Sequence, residues 1–274
     1  MRYARIFNAI KNEIWCIKPD MLQSMSTVLR SAMLGNLVRL EDAGLPVKPI
    51  DTASQEPGQV GVVSIQGVLG KYLTGLEAEC GGASVEAVEA NLVAAAEDET
   101  VSNILLHIDS PGGGVTGIPE LAKTIRKIDS EVKPVYAFTD SMAASAAYWL
   151  ASAARGVFVT ETAELGSIGV YVAYIDESEW MAKEGYKLEL FRAGKHKAAG
   201  LSGVEMTEED RGIIQGQVDD VYKLFTGFVS GERPQVGQES MEGQTFMGVK
   251  ALEAGLVDEI VGGIGEVVEN IAAS

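Results

Sequence analysis

Three short stretches of this chain hold residues whose types and spacing could do chemistry. The first is Asp109-Ser-Pro-Gly-Gly-Gly114, between an apolar run and a helical pattern. Its glycines let the backbone turn sharply and leave amide N–H groups uncovered. A helix N-terminus behind them adds partial positive charge. Such a loop suits a phosphate, the oxyanion of an acyl transfer, or nothing more than a tight turn. No Gly-Lys-Ser/Thr follows, so it is not a P-loop, and Gly112, Gly113, Gly114 and Gly117 miss the dinucleotide-binding spacing.

The second stretch, Ser141-Met-Ala-Ala-Ser-Ala-Ala-Tyr-Trp149, surrounds Ser145 with small residues that would let a substrate backbone approach. A packed alanine-rich helix, its hydroxyl bonded to its own backbone, fits the same composition. The third is Gly194-Lys-His-Lys-Ala-Ala-Gly200. A serine nucleophile needs a base, and neither histidine is well placed: His107 lies in an apolar strand and His196 in a polar loop. Lysine can serve if burial keeps its amine neutral. Moving a lysine from about 10.4 to about 7.5 takes roughly 4 kcal/mol of differential desolvation. Spacing alone does not choose between Lys195 and Lys197.

The elements that must position these residues are legible as patterns. Residues 1–44 read as a helical N-terminal arm broken near Pro19, from the helical spacing of Ile6, Phe7, Ile10, Ile14, Leu22 and Met25. Residues 45–59, with Pro46, Pro49, Pro57 and Gly58, read as a linker. The domain follows at 60–274. Strands are predicted over 60–65, 103–108, 135–139, 157–160, 168–175 and 188–192, and helices over 85–97, 115–127 and 145–153. A long helix begins at Thr207, with Thr207 and Asp210 forming a capping box. Strands alternating with helices across glycine turns indicate an α/β fold with largely parallel strands and flanking helices. No internal repeat is visible.

Composition narrows the function classes. The formal charge of -17, from 39 acidic and 22 basic residues, repels polyanions and anionic lipid, so neither nucleic acid nor a membrane is the expected partner. Two cysteines, Cys16 and Cys80, make no metal spacing and fit free thiols in a reducing compartment. Neither a metal nor a cofactor is expected. No signal peptide or membrane span is evident, and a cytoplasmic location is expected.

Five elements in order resemble peptidase family S49, the signal peptide peptidase A and phage head-protease group of the ClpP/crotonase fold. They are Ile108-Asp-Ser-Pro-Gly-Gly113, Ala144-Ser-Ala-Ala-Tyr148, Leu165-Gly-Ser-Ile-Gly-Val170, Gly194-Lys-His-Lys197 and Gly255-Leu-Val-Asp258. The resemblance covers about residues 60 to 262. It implies Ser145 as nucleophile, Lys197 as general base and Ser167 as the hydroxyl orienting the lysine. It also implies an oxyanion hole from the N–H groups of Gly113 and Ala146. Ala146 and Ala147 replace the Gly-Gly common after the serine, which affects loop geometry rather than donor supply.

The resemblance further implies a homo-oligomeric serine endopeptidase. The expected role is head maturation in a phage or prophage, cutting scaffold and other head proteins in the host cytoplasm or inside the procapsid. Three alternatives stand beside it: a cytoplasmic peptidase degrading peptides, a crotonase-type acyl-CoA enzyme, and a catalytically silent structural subunit.

Overall fold

The apolar runs at 60–66 and 103–109 lie side by side within a six-stranded sheet. The computed structural model describes residues 14–24, 55–56, 60–73, 82–174, 176–201 and 203–272. Its strands are β1 (Trp15–Ile17), β2 (Gln55–Glu56), β3 (Val60–Gln66), β4 (Val68–Gly70), β5 (Gly82–Ser84), β6 (Asn103–Asp109), β7 (Gly112–Gly114), β8 (Val135–Thr139), β9 (Met142–Ala144), β10 (Gly156–Val159), β11 (Glu164–Gly166), β12 (Thr245–Met247) and β13 (Glu259–Ile260). The helices are α1 (Val85–Glu97), α2 (Ile118–Glu131), α3 (Ala146–Ser152), α4 (Ser178–Lys183), α5 (Glu208–Glu232), α6 (Gly248–Glu253) and α7 (Ile264–Ala272).

The large sheet runs β13-β10-β8-β6-β3-β2 and is parallel apart from β2 against β3. Burial of Ile104, Leu105, Leu106 and Ile108 on both faces explains why β6 reads as a largely apolar run. Each of its four main strands turns at its C-terminal end into a short strand of a smaller sheet: β3 into β4, β6 into β7, β8 into β9, β10 into β11. The small sheets are ordered β1-β7-β4-β5 and β12-β11-β9, joined by a bridge between Ser110 and Ala143. The chain therefore repeats a strand–strand–helix path that has no counterpart as a sequence repeat. The turns collect beyond the carboxyl ends of the parallel strands, where α/β folds place their sites.

Several local expectations hold. Thr207 and Asp210 form the capping box that opens α5, and α2 is strongly amphipathic, with Ile118, Leu121, Ala122, Ile125 and Ile128 buried. Others need correction. The helical arm does not extend through Trp15–Ile17, which is a strand, and Pro19 opens a helical turn over 19–24 rather than breaking one. The rest of the predicted arm, 1–13 and 25–44, lies outside the described residues, as does Cys80. The strands predicted over 168–175 and 188–192 do not form. Tyr171 makes a single bridge, and Leu188 and Leu190 are exposed. Among the described residues none pairs with 188–192, so its alternating apolar side chains have no partner edge to satisfy the backbone. No described helix is long and apolar enough to cross a membrane.

Helix α3 is the most enclosed element, every residue being buried. Trp149 stacks on Phe225 of α5 with ring centroids 4.4 Å apart and planes 3° from parallel. The Tyr148 hydroxyl donates to the Leu256 carbonyl at 2.8 Å. Trp149→Ala leaves a large cavity behind α3, and the expected loss is about 3–5 kcal/mol. Denaturant unfolding at constant m-value measures it; a loss below about 1 kcal/mol would show that the stack does not anchor the helix.

Candidate active site

Ser110 sets the glycine loop. Its N–H donates to the Met142 carbonyl at 2.8 Å, and its own carbonyl accepts from Ala144 N–H at 3.1 Å. The Ser110 hydroxyl donates to Gly67 at 2.6 Å and accepts from Gly112 N–H at 3.2 Å. The loop is thus stitched to the strand that carries Ser145. Gly112 has φ 95°, and a Cβ there would stand 2.9 Å from the Cβ of Ser145; at Gly113 it would stand 1.9 Å from the Leu69 carbonyl oxygen. Only glycine allows so close an approach.

Ser145 occupies the turn from β9 into α3 with φ 56° and ψ -120°. Its N–H donates to the Gly166 carbonyl at 2.7 Å, and its carbonyl accepts the first helical bond, from Trp149 N–H. The amide of Ala146 follows in the first turn, where N–H groups have no intrahelical partner. Ala146 and Ala147 are fully buried, so the two methyl groups that replace glycines fit beneath the turn.

β9 and β11 pair in parallel with Ala144 opposite Gly166. The next residue on each strand, Ser145 and Ser167, therefore sits level with the other. Ser167 is also left-handed, at φ 51°, and its N–H donates to Gln244 at 2.7 Å. Non-glycine residues adopt this region rarely and at a cost, and it clusters at functional sites. The structure thus brings together Ser145, Ser167, Ala146 and the Gly112–Gly113 loop.

Lys197 does not join them: its side chain is exposed, and the buried Ser145 Oγ has no hydrogen-bond partner among the described residues. The loop that carries it is nevertheless ordered. His196, in the polar loop, is held between Glu209 (3.1 Å) and Asp210 (2.9 Å) at the start of α5. Lys195 pairs with Glu209. Hydrogen bonds from Thr207, then from His196, pull the Asp210 carboxyl down to about 2. His107 lies against Phe138 and 3.5 Å from Asp140, a structural setting.

A residue that sequence reasoning missed lies beside the nucleophile. β1 pairs antiparallel with β7, placing Cys16 opposite Gly113. The Cys16 thiol lies against Ser145, and burial pushes it up to about 12, so it stays neutral there. A helical reading of residues 1–44 carried no signal of this pairing. Beside β1, an open cleft of about 450 Å³ is lined by Ile14, Tyr171, Ala199, Gly200 and α5 side chains including Arg211 and Ile214.

The sequence comparisons show the family. The model of peptidase family S49 matches residues 127–273, more than half of the chain, and the Clp protease model matches residues 69–165. The capsid assembly protease C of Escherichia phage lambda is 34% identical over 205 residues, 74% of this chain and 46% of that protein. The head-tail preconnector protein GP5 of Enterobacteria phage P21 is 31% identical over 205 residues, 74% of this chain and 40% of that protein. Protease 4 of Haemophilus influenzae is 26% identical, covering 74% of this chain and 33% of that protein. The chain spans less than half the length of each of these relatives.

Asp210 links the lysine loop to α5, and its depressed carboxyl makes that link pH-dependent. Its contribution is fully present above its unfolded value, about 3.9, and is lost as pH falls through about 2. Asp210→Asn is expected to be less stable than the parent at about pH 6, with the gap closing as acid is added. Unfolding midpoints along that series provide the check, and a gap independent of pH would exclude the carboxylate as its source.

Proposed function

The chain belongs to peptidase family S49, and from that premise we propose that it is a serine endopeptidase with Ser145 as nucleophile and Lys197 as general base. The observation that carries the reading is the left-handed turn at Ser145, wedged between Gly112 and Ser167. It sets Ser145 at a strand–helix junction, and on the proposed reading the amides of Gly113 and Ala146 would hold the developing acyl oxyanion. Two such donors would each be worth about 3–4 kcal/mol in the transition state.

In the proposed reaction Lys197 takes the Ser145 proton as Oγ attacks a peptide carbonyl, then gives it to the leaving amine. A water molecule, deprotonated by the same lysine, then releases the acyl group. Ser167, level with Ser145, is the hydroxyl that orients the lysine. A base of this kind must be stripped of water, so the loop 194–200 has to close over Ser145. Gly194 (φ 92°) and Gly200 (φ 77°) bracket that loop with backbone freedom at both ends.

Similarity to the phage lambda and P21 proteins favours head proteins as substrates, with the work done in the host cytoplasm or inside a procapsid. A homo-oligomer is favoured by the apolar surface on the excursion that carries Lys197: Trp180 is 59% exposed, Tyr186 65% and Phe191 91%. Residues 14–24 are proposed to fold onto the peptidase domain, because Trp15, Ile17 and Leu22 pack with Met21, Val68 and Tyr171.

Ser145→Ala and Lys197→Ala are each expected to lower cleavage of a co-expressed scaffold protein by about 10³-fold or more, with unfolding midpoints preserved. Product mass spectrometry reads the result. Undiminished cleavage by Ser145→Ala would refute the nucleophile, and undiminished cleavage by Lys197→Ala the base.

A further inference from the structure

The short strand β1 lies between two backbone edges. On one side it pairs with the glycine strand β7 in the register Trp15–Gly114, Cys16–Gly113 and Ile17–Gly112. The flanking bonds, Val115 N–H to Ile14 at 3.2 Å and Lys18 N–H to Pro111 at 3.1 Å, identify the hydrogen-bonded positions of the ladder. Those positions recur every second residue, so the Cys16 carbonyl falls opposite Gly113 N–H. On the other side Trp15 exchanges both bonds with Tyr171, at 2.9 and 3.1 Å. Residues 14–18 are thus held through their main chain along one side by β7 and, at Trp15, on the other side by Tyr171. An added peptide strand is recognised in the same way.

The occupant sits on the nucleophile. Cys16 is fully buried and Ser145 is 1% exposed. The Cβ that Gly112 lacks would lie 2.2 Å from the Cys16 carbonyl oxygen and 2.9 Å from the Ser145 Cβ. That carbonyl therefore rests in the corner between the glycine loop and the serine. Side chains latch the segment in place: Lys18 Nζ donates to Glu164 Oε2 at 2.7 Å, and Trp15 and Ile17 pack beside Val68 and Tyr171.

We propose that residues 14–18 are an intramolecular pseudosubstrate, which fills the peptide channel with the Cys16–Ile17 bond over Ser145 and keeps the site closed until the strand is displaced. This rests on the reading of Ser145 as nucleophile. The strand survives in the channel because Lys197 is on the exposed loop, leaving the hydroxyl without its base. A substrate peptide must compete for the two edges, so reaction at Ser145 scales with the open fraction.

The test is the rate at which a biotinylated fluorophosphonate acylates Ser145 in the full chain, with Ser145→Ala as the zero. Lys18→Glu sets two carboxylates against each other, and Trp15→Ala removes the anchor; each is expected to raise labelling about 10-fold or more by increasing the open fraction. The charge exchange Lys18→Glu with Glu164→Lys rebuilds the latch and is expected to return labelling to the parent rate, which separates release from misfolding. Parent-rate, Ser145-dependent labelling in both single variants would overturn the pseudosubstrate and leave the serine peptidase standing. No labelling in any folded variant would remove the nucleophile and the pseudosubstrate together.

Discussion

The parallel pairing of β9 with β11, Ala144 opposite Gly166, is the constraint on which the site depends. Two strands ending level would ordinarily release their chains into solvent. Here the first residue after each is held by a backbone bond, Ser145 N–H to Gly166 and Ser167 N–H to Gln244, both at 2.7 Å. Each serine is driven into the left-handed region at a cost of roughly 1 kcal/mol or more. The conformation persists because its neighbours over-determine it. Ser110 grips β9 from the side opposite β11, and Gly112 fills the space against Ser145.

Distant sequence holds that corner rigid. The Gly255-Leu-Val-Asp258 element lies behind α3, where Leu256 receives the Tyr148 hydroxyl and Asp258 accepts from Val157 N–H at 2.7 Å. Burial raises the Tyr148 phenol above its ordinary range, so it remains a donor. Arg233, nearly inaccessible, places its guanidinium against Asp258 and the Ala154 carbonyl. A buried charge with such partners is costly to unpair, so the end of α5, the end of α3 and the C-terminal turn are tied together. The distant tetrapeptide thus has a mechanical meaning: it is a strut behind α3.

How much of this was legible in the sequence depended on whether the signal was local. The apolar runs of β3, β6 and β8 announced buried parallel strands, and the capping box at Thr207 marked the start of α5 within one residue. The glycine loop and the serine were identifiable as residue types, but only the resemblance to S49 made them one site, since their proximity comes from strand register. Trp15–Ile17 was illegible for the same reason in reverse. Its apolar spacing suits a helix, and two edges supplied by Gly112–Gly114 and Tyr171 override that preference. The repeated strand–strand–helix path was invisible because it repeats a backbone route and not a set of side chains.

The covered nucleophile and the exposed lysine pose a single physical problem. A lysine on a hydrated loop cannot act as a base beside Ser145 until water is excluded from both. The cleft beside β1 bears on this, because Ile14 and Tyr171 line it together with Ala199 and Gly200, just beyond Lys197. A peptide that displaces residues 14–18 and continues past the position of Ile14 would meet the wall formed by the lysine loop. On the proposed reading, contacts made there, remote from the scissile bond, favour closure of the loop that brings the base to the serine. Binding energy from the far end of the substrate is then expressed as catalysis.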